Sequence, residues 1–285
     1  MVIILKADER NGKSSSIRIK DAIKIYKRGK VDVAALRGMN CEFLPGEISV
    51  VMGPSGCGKT TLLNVIGGLT QLTSGSVSVD GTILSSLTED ELNLFRLEEC
   101  GYIFQFFNLI PELTVLENVL LPMELDNKIE KKTKAKAMSL LEELGLLHRL
   151  DHYPDELSGG EQQRVAIAAA IINDPRIILC DEPTGELDSE AKKNILRILS
   201  RIMEKNSDKI MLIVTHDEDI KMIADRVFMI RDGIISHVLS PEQLQDERIK
   251  KTSGELQELG QMSSDKTKNE LRAIIHYLQE KLEKI

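Results

Sequence analysis

Apolar and polar positions trade places through IRIKDAIKIY (17–26) and VDVAALRGMNCEF (31–43), with the turn residues KRGK between them, and both segments read as β structure. After a second turn, PGE, the apolar run ISVVM leads straight into GPSGCGKTT (53–61), and TLLNVIGGL then takes helical spacing. The pattern is strand, glycine loop, helix. SGSVSVDGTIL follows as a hairpin, because GSVSVDG alternates between turn residues.

The period changes beyond residue 108. LTVLENVLLPMEL and KKTKAKAMSLLEELGLLHRL repeat their apolar residues at helical intervals, the second ending near a Gly and several basic residues. They predict a helical insertion over about 108–166, closed by LSGGEQQRVAIAAAI. RIILCDEPTG and KIMLIVTHD then read as buried strands of the parallel kind, and DRVFMIRDGIISHV as two short strands. The expected fold class is therefore α/β: a parallel sheet with helices, an N-terminal β part and a helical part. Residues 1–16 read as an arm, 17–240 as the main domain and 241–285 as a polar linker with a terminal helix. That helix would carry Leu271, Ile274, Ile275, Leu278, Leu282 and Ile285 on one stripe.

Composition narrows the choice of function. A net charge of −8 argues against a general nucleic-acid binder, which needs a basic face. The four cysteines, Cys41, Cys57, Cys100 and Cys180, form no CxxC pair, so zinc and disulfide frameworks are not expected. No apolar run approaches the ~18 residues of a membrane span, so the membrane is not expected to be crossed by this chain.

The chemistry concentrates at segment ends. GPSGCGKT matches G-x-x-x-x-G-K-[ST] between a strand and a helix: the glycines let N–H groups wrap a phosphate chain, Lys59 reaches its outer oxygens, and Thr60 offers a hydroxyl to Mg²⁺. Asp181 ends an apolar strand where a carboxylate serves the metal, and Glu182 beside it suits the general base for water attack. His216 ends another strand, and Gln105 follows a short one, within reach of the metal or its water. The other four histidines have no ligand spacing. Ser158, Gly159 and Gly160 open a helix, which makes a second phosphate cradle.

Together these motifs resemble the ATP-binding-cassette ATPases over roughly 17–240: the phosphate loop, Gln105, LSGGEQQ (157–163), the strand ending at Glu182, ELDS (186–189) and His216, in the family's order. The wording of IYKRGKVDVAALRGMNCEF, FQFFNLIPELTVLENVLLP and DEPTGELDS is most similar to the lipoprotein-release and macrolide-exporter branch. The resemblance implies a P-loop NTPase core, an antiparallel β subdomain, and a helical subdomain carrying the signature. It implies ATP and Mg²⁺ as ligands, and a head-to-tail homodimer in which each LSGG loop clamps the nucleotide held by the other chain. Gly53, Ser55, Gly56, Cys57, Gly58, Lys59, Thr60 and Thr61 would hold the phosphates and Tyr26 would stack on adenine. Thr60, Gln105 and Asp181 would hold the metal, with Glu182 as base and His216 as γ-phosphate contact. Asp188 would lie at the dimer seam, and Phe106 to Leu109 on the groove for a separate transmembrane permease. That partner would place the chain on the inner face of the cell membrane.

Three positions depart from the family's usual pattern: Ala169 for an arginine, Cys180 for an alanine, and Glu186 for a small or neutral residue. The resemblance leaves open lipoprotein, macrolide or antimicrobial-peptide export, import, and cell-division, ribosome or DNA roles.

Overall fold

The structure, a computed structural model, describes residues 16–29, 31–125 and 131–249 of the 285. The proposed arm, apart from Ser16, and the terminal apolar stripe lie outside the described residues. Through the first half of the chain run β1 (Ile17–Arg28), β2 (Val31–Phe43), β3 (Ile48–Met52), α1 (Lys59–Ile66), β4 (Ser74–Val79), β5 (Thr82–Ile83), α2 (Glu89–Glu99) and β6 (Cys100–Ile103). Then follow α3 (Val115–Leu125), α4 (Lys131–Glu143), α5 (Gly159–Ile171), β7 (Ile177–Asp181), α6 (Ser189–Glu204), β8 (Ile210–Thr215), β9 (Arg226–Arg231) and β10 (Ile234–Leu239). By its contacts the chain divides into two units, Met1–Val238 and Leu239–Ile285.

Two sheets share the first unit. One has the order β2-β1-β4-β5, with β1 antiparallel to both β2 and β4. The other has the order β10-β9-β3-β8-β7-β6, in which β3, β6, β7, β8 and β9 run parallel. Its central strands are apolar on both faces, and every residue of β3 and β8 is buried. Continuous apolar runs of this sort belong to parallel sheets covered on both sides. The core includes Phe43, Leu63, Leu179, Leu212 and Phe228, and takes in α2 through Leu92 and Phe95. A second cluster joins α3, α4 and α5 through Val119, Leu141 and Val165.

Helices α2 and α6 are additions to the elements expected from sequence. The signal of α2 is a capping box: Thr88 accepts from Glu91 N, while Glu91 Oε2 accepts from Thr88 N at 2.8 Å. That of α6 is the Asp188 cap ahead of buried Ile195, Leu196, Leu199 and Met203. The basic end of the second insertion helix also differs. Helix α4 stops at Glu143 because Gly145 takes φ 70°, with Leu146 N bonded to Leu141 O and Gly145 N to Glu142 O. That pair of bonds is a Schellman stop, and residues 147–149 form a separate short turn of 3₁₀ helix.

Candidate functional site

Parallel alignment puts the carboxyl ends of β3, β6, β7 and β8 on one edge of the sheet, where ligands of α/β folds gather. The registers Met52↔Thr215 and Asp181↔Val214 bring three of those ends abreast. Each strand feeds a segment carrying a residue expected to act chemically.

Strand β3 feeds the phosphate loop. A Cβ on Gly53 would collide with the carbonyl of Ile230 and crowd Cys57 Sγ, so the loop can pass only as glycine. Gly58 sits at φ 109°, and a Cβ there would lie 2.5 Å from Ala35 O, which fastens the loop to β2. It also heads α1, whose first turn has neither a side-chain cap nor an acidic residue, leaving its N–H groups for an anion. Ser55, Gly56 and Thr60 are exposed; Cys57 is buried, and burial pushes its thiol up. Lys59 is only 8% exposed, and its ammonium donates to the carbonyls of Gly53 (2.8 Å) and Pro54 (3.1 Å). A cation held by neutral carbonyls favours an arriving phosphate. Thr61 lies beside Thr60 in the first turn of α1.

Strand β7 brings the carboxylates. Thr60 Oγ1 donates to Asp181 Oδ1 at 3.3 Å, and burial pushes the Asp181 carboxyl up against the opposing pull of Thr60 and Lys59. Glu182 takes φ 47°, a left-handed conformation that costs a non-glycine residue about 1–2 kcal/mol. Its side chain is 12% exposed. Oε2 accepts from Thr215 Oγ1 at 2.7 Å and from His216 N at 3.3 Å, while Oε1 lies 2.8 Å from His216 Nδ1. The histidine side chain is 72% exposed, so its other face is open. Asp217 anchors this turn by accepting from Lys192 Nζ (2.8 Å) and Thr184 Oγ1 (3.2 Å). Burial works against the Asp217 anion, and these bonds outweigh it, holding the carboxyl below its usual range.

Gln105 follows β6 and donates from Nε2 to Glu186 Oε1 at 3.2 Å. Tyr26 lies on β1 opposite Val33, its ring half-exposed with Lys24 Nζ 4.9 Å from the centroid. Asp188 caps α6 by accepting from Glu190 N and Ala191 N. Phe106 is 70% exposed.

The LSGG segment stands apart from these groups. Ser158 and Glu161 form a capping box at the head of α5, with Glu161 also bonded to Arg149 Nε at 3.1 Å. Atoms nearest a Cβ on Gly159 belong to Leu187, Phe107 and Glu186, and on Gly160 to Ala191 and Arg164; none is in the phosphate loop. Thr215 and the Asp217–Lys192 pair were not singled out from sequence. Thr215 has a signal there, a hydroxyl ending an apolar strand beside His216, whereas Lys192 is one of two adjacent lysines on an amphipathic helix and nothing local marks it out.

The ABC transporter family matches residues 36–185, more than half of the chain. The chain belongs to that family. An ABC transporter ATP-binding protein of Methanocaldococcus jannaschii, of uncharacterized role, is 45% identical over 224 residues, covering 79% of this chain and 99% of the relative. The lipoprotein-releasing system ATP-binding protein LolD of Bacteroides thetaiotaomicron is 44% identical over 200 residues, or 70% of this chain and 91% of LolD. Among solved structures, the dimeric ATP-binding cassette MJ0796, in a post-hydrolysis state bound to ADP and Pi, aligns with TM-score 0.73 at 38% identity, covering 79% and 98%. This ABC protein is an ATP-binding subunit with the cassette fold and ATPase activity, of the branch that includes LolD.

Proposed function

We propose that this chain is the motor of a membrane complex, working as a head-to-tail homodimer that closes on two ATP molecules and opens after hydrolysis. The observation that carries the reading is the division of the site. Lys59, Thr60, Asp181, Glu182 and His216 share one sheet edge, while Ser158, Gly159 and Gly160 head a helix whose neighbours exclude the phosphate loop. Each cradle is incomplete, and an isologous pair of chains completes both. The related cassette is dimeric, which supports the pairing of two such chains.

In this reading Gly53, Ser55, Gly56, Cys57, Gly58, Lys59, Thr60 and Thr61 surround the phosphates, and Tyr26 receives the base. Glu182 takes a proton from the attacking water, with Thr215 and His216 holding its carboxylate in place, and His216 also contacts the γ-phosphate. Thr60, Asp181 and Gln105 supply oxygen atoms, the donor chemistry Mg²⁺ prefers. Among the described residues no cluster of three or more His, Cys, Asp or Glu could hold a metal alone, which fits an ion completed by substrate phosphates. Bound there, Mg²⁺ would neutralise phosphate charge.

Residues 17–240 form the ATPase domain in this proposal, with the helical part at about 108–166 bearing the signature. No helix among the described residues is long and apolar enough to cross a membrane. In this reading the spanning part belongs to a separate permease, docked near Phe106 to Leu109 on the inner face of the membrane. The similarity to LolD favours work on lipoproteins, and that to macrolide export proteins named MacB keeps macrolides in view. Antimicrobial peptides are the third cargo class of this reading, and the net charge of −8 speaks against nucleic acid.

Replacing Glu182 by Gln tests the motor. Turnover should fall ~10²–10⁴-fold, the usual worth of a general base, while ATP drives the variant into dimers on gel filtration. Wild-type turnover would remove Glu182 as the base. Co-purification from detergent-extracted membranes tests the partner: a permease with few spans and a large outer domain is expected, and recovery with ribosomes or DNA instead would overturn the transport assignment.

A further inference from the structure

Gln105 Nε2 lies 3.6 Å from the position of a Cβ on Gly185, and the amide that carries it has two ends of nearly the same shape and opposite bonding character. Which end faces a ligand is decided by what holds the other. Here Nε2 donates to Glu186 Oε1. An ionised carboxylate only accepts, so this bond fixes the NH₂ toward Glu186 and leaves Gln105 Oε1 as the outward acceptor.

The carboxylate is itself well placed to hold that orientation. Gly185 N donates to Glu182 O at 3.0 Å and Leu187 N to Thr184 O at 3.3 Å, tying the turn on both sides of Glu186 to the end of β7. Asp188, two residues on, caps α6. The Glu186 carbonyl also lies 3.8 Å from the position of a Cβ on Gly159, at the head of α5. Glu186 thus stands on a fixed turn between the two cradles, with its charge directed at Gln105.

We propose that Glu186 is a positioning residue for the divalent cation: it presents the Gln105 amide oxygen to the ion without touching the nucleotide. This rests on the reading of Gln105 as a cation ligand. Carboxylates that orient the ligands of a metal are worth about 10–100-fold in its affinity, and an exposed turn belongs at the lower end.

The test compares equilibrium binding of a non-hydrolysable ATP analogue in Mg²⁺ and in EDTA, using the full chain. Wild type should bind more tightly with Mg²⁺, and Glu186→Ala should cut that gain by about tenfold with the EDTA affinity unchanged. Gln105→Ala should do the same, and the double variant should be no worse than either single one. Glu186→Gln, which keeps an acceptor oxygen, should retain most of the gain. If Gln105→Ala removes the gain and Glu186→Ala does not, the proposal fails while the cation reading stands. If Gln105→Ala leaves the gain intact, the reading beneath both is wrong. Equal losses in Mg²⁺ and EDTA, or tighter Mg²⁺-dependent binding in Glu186→Ala, would also overturn it.

Discussion

Glu182 shows how much a single position depends on its neighbours. A glutamate after an apolar strand is readable as a candidate base, yet its carboxylate is oriented by Thr215 and His216, from a strand that begins nearly thirty residues later in the chain. Thr215→Val keeps the shape and removes the hydroxyl. A lost hydrogen bond to a charged group is worth about 1.5–3 kcal/mol, so kcat should fall about tenfold or more, with nucleotide affinity unchanged. Steady-state kinetics beside equilibrium binding checks the split. The phosphate loop was legible as a motif because its glycine, lysine and threonine spacing lies within eight neighbouring positions and Gly58 needs a left-handed φ, whereas the close approach that demands glycine at Gly53 comes from the distant Ile230 carbonyl. The bond from Gln105 to Glu186 was not legible, since 81 residues separate its ends.

At the level of elements, helix starts repeat one device. Thr88 with Glu91, Thr114 with Glu117, and Ser158 with Glu161 all pair a hydroxyl and a carboxylate across the first turn. The third pair heads the signature helix, and its Glu161 carboxyl is held down to about 2, first by Ser158 N–H and then by the Ser158 hydroxyl and Arg149. Its folded value lies below the ordinary 4.5, so its stabilisation is complete above that value and is lost as pH falls toward 2. Glu161→Gln should therefore lower Tm at neutral pH, and the gap to wild type should narrow on acidification below about pH 5. A gap that is constant with pH, followed by thermal melts, would assign the effect to packing. The sequence reading found the strands and the insertion helices but passed over α2, whose cap was visible and whose apolar face, Leu92 and Phe95, is sparse, and α6, whose Asp188 cap and buried Ile195, Leu196, Leu199 and Met203 carried a helical signal.

On the scale of the whole molecule, the proposed head-to-tail pair assigns the two cradles to different composite sites. Mixing chains carrying Lys59→Ala with chains carrying Ser158→Arg should restore turnover that neither has alone. In a head-to-tail pair, one interface then joins an intact phosphate loop to an intact signature. No rescue in an ATPase assay of the mixture would place both cradles in the service of one chain.

What the chain determined by itself was the run of strands, the insertion helices, the family's motifs and the chemical type of each candidate residue, because periodicity and short-range geometry are written in neighbouring positions. The tertiary structure decided which of those residues meet. Parallel pairing of β3, β7 and β8 put Thr60 beside Asp181 and Glu182 beside Thr215 and His216, while the signature helix was packed against Leu187 and Phe107 instead. Such meetings follow from sheet order and crossover, which are fixed by burial of the whole core and not by any local run of residues.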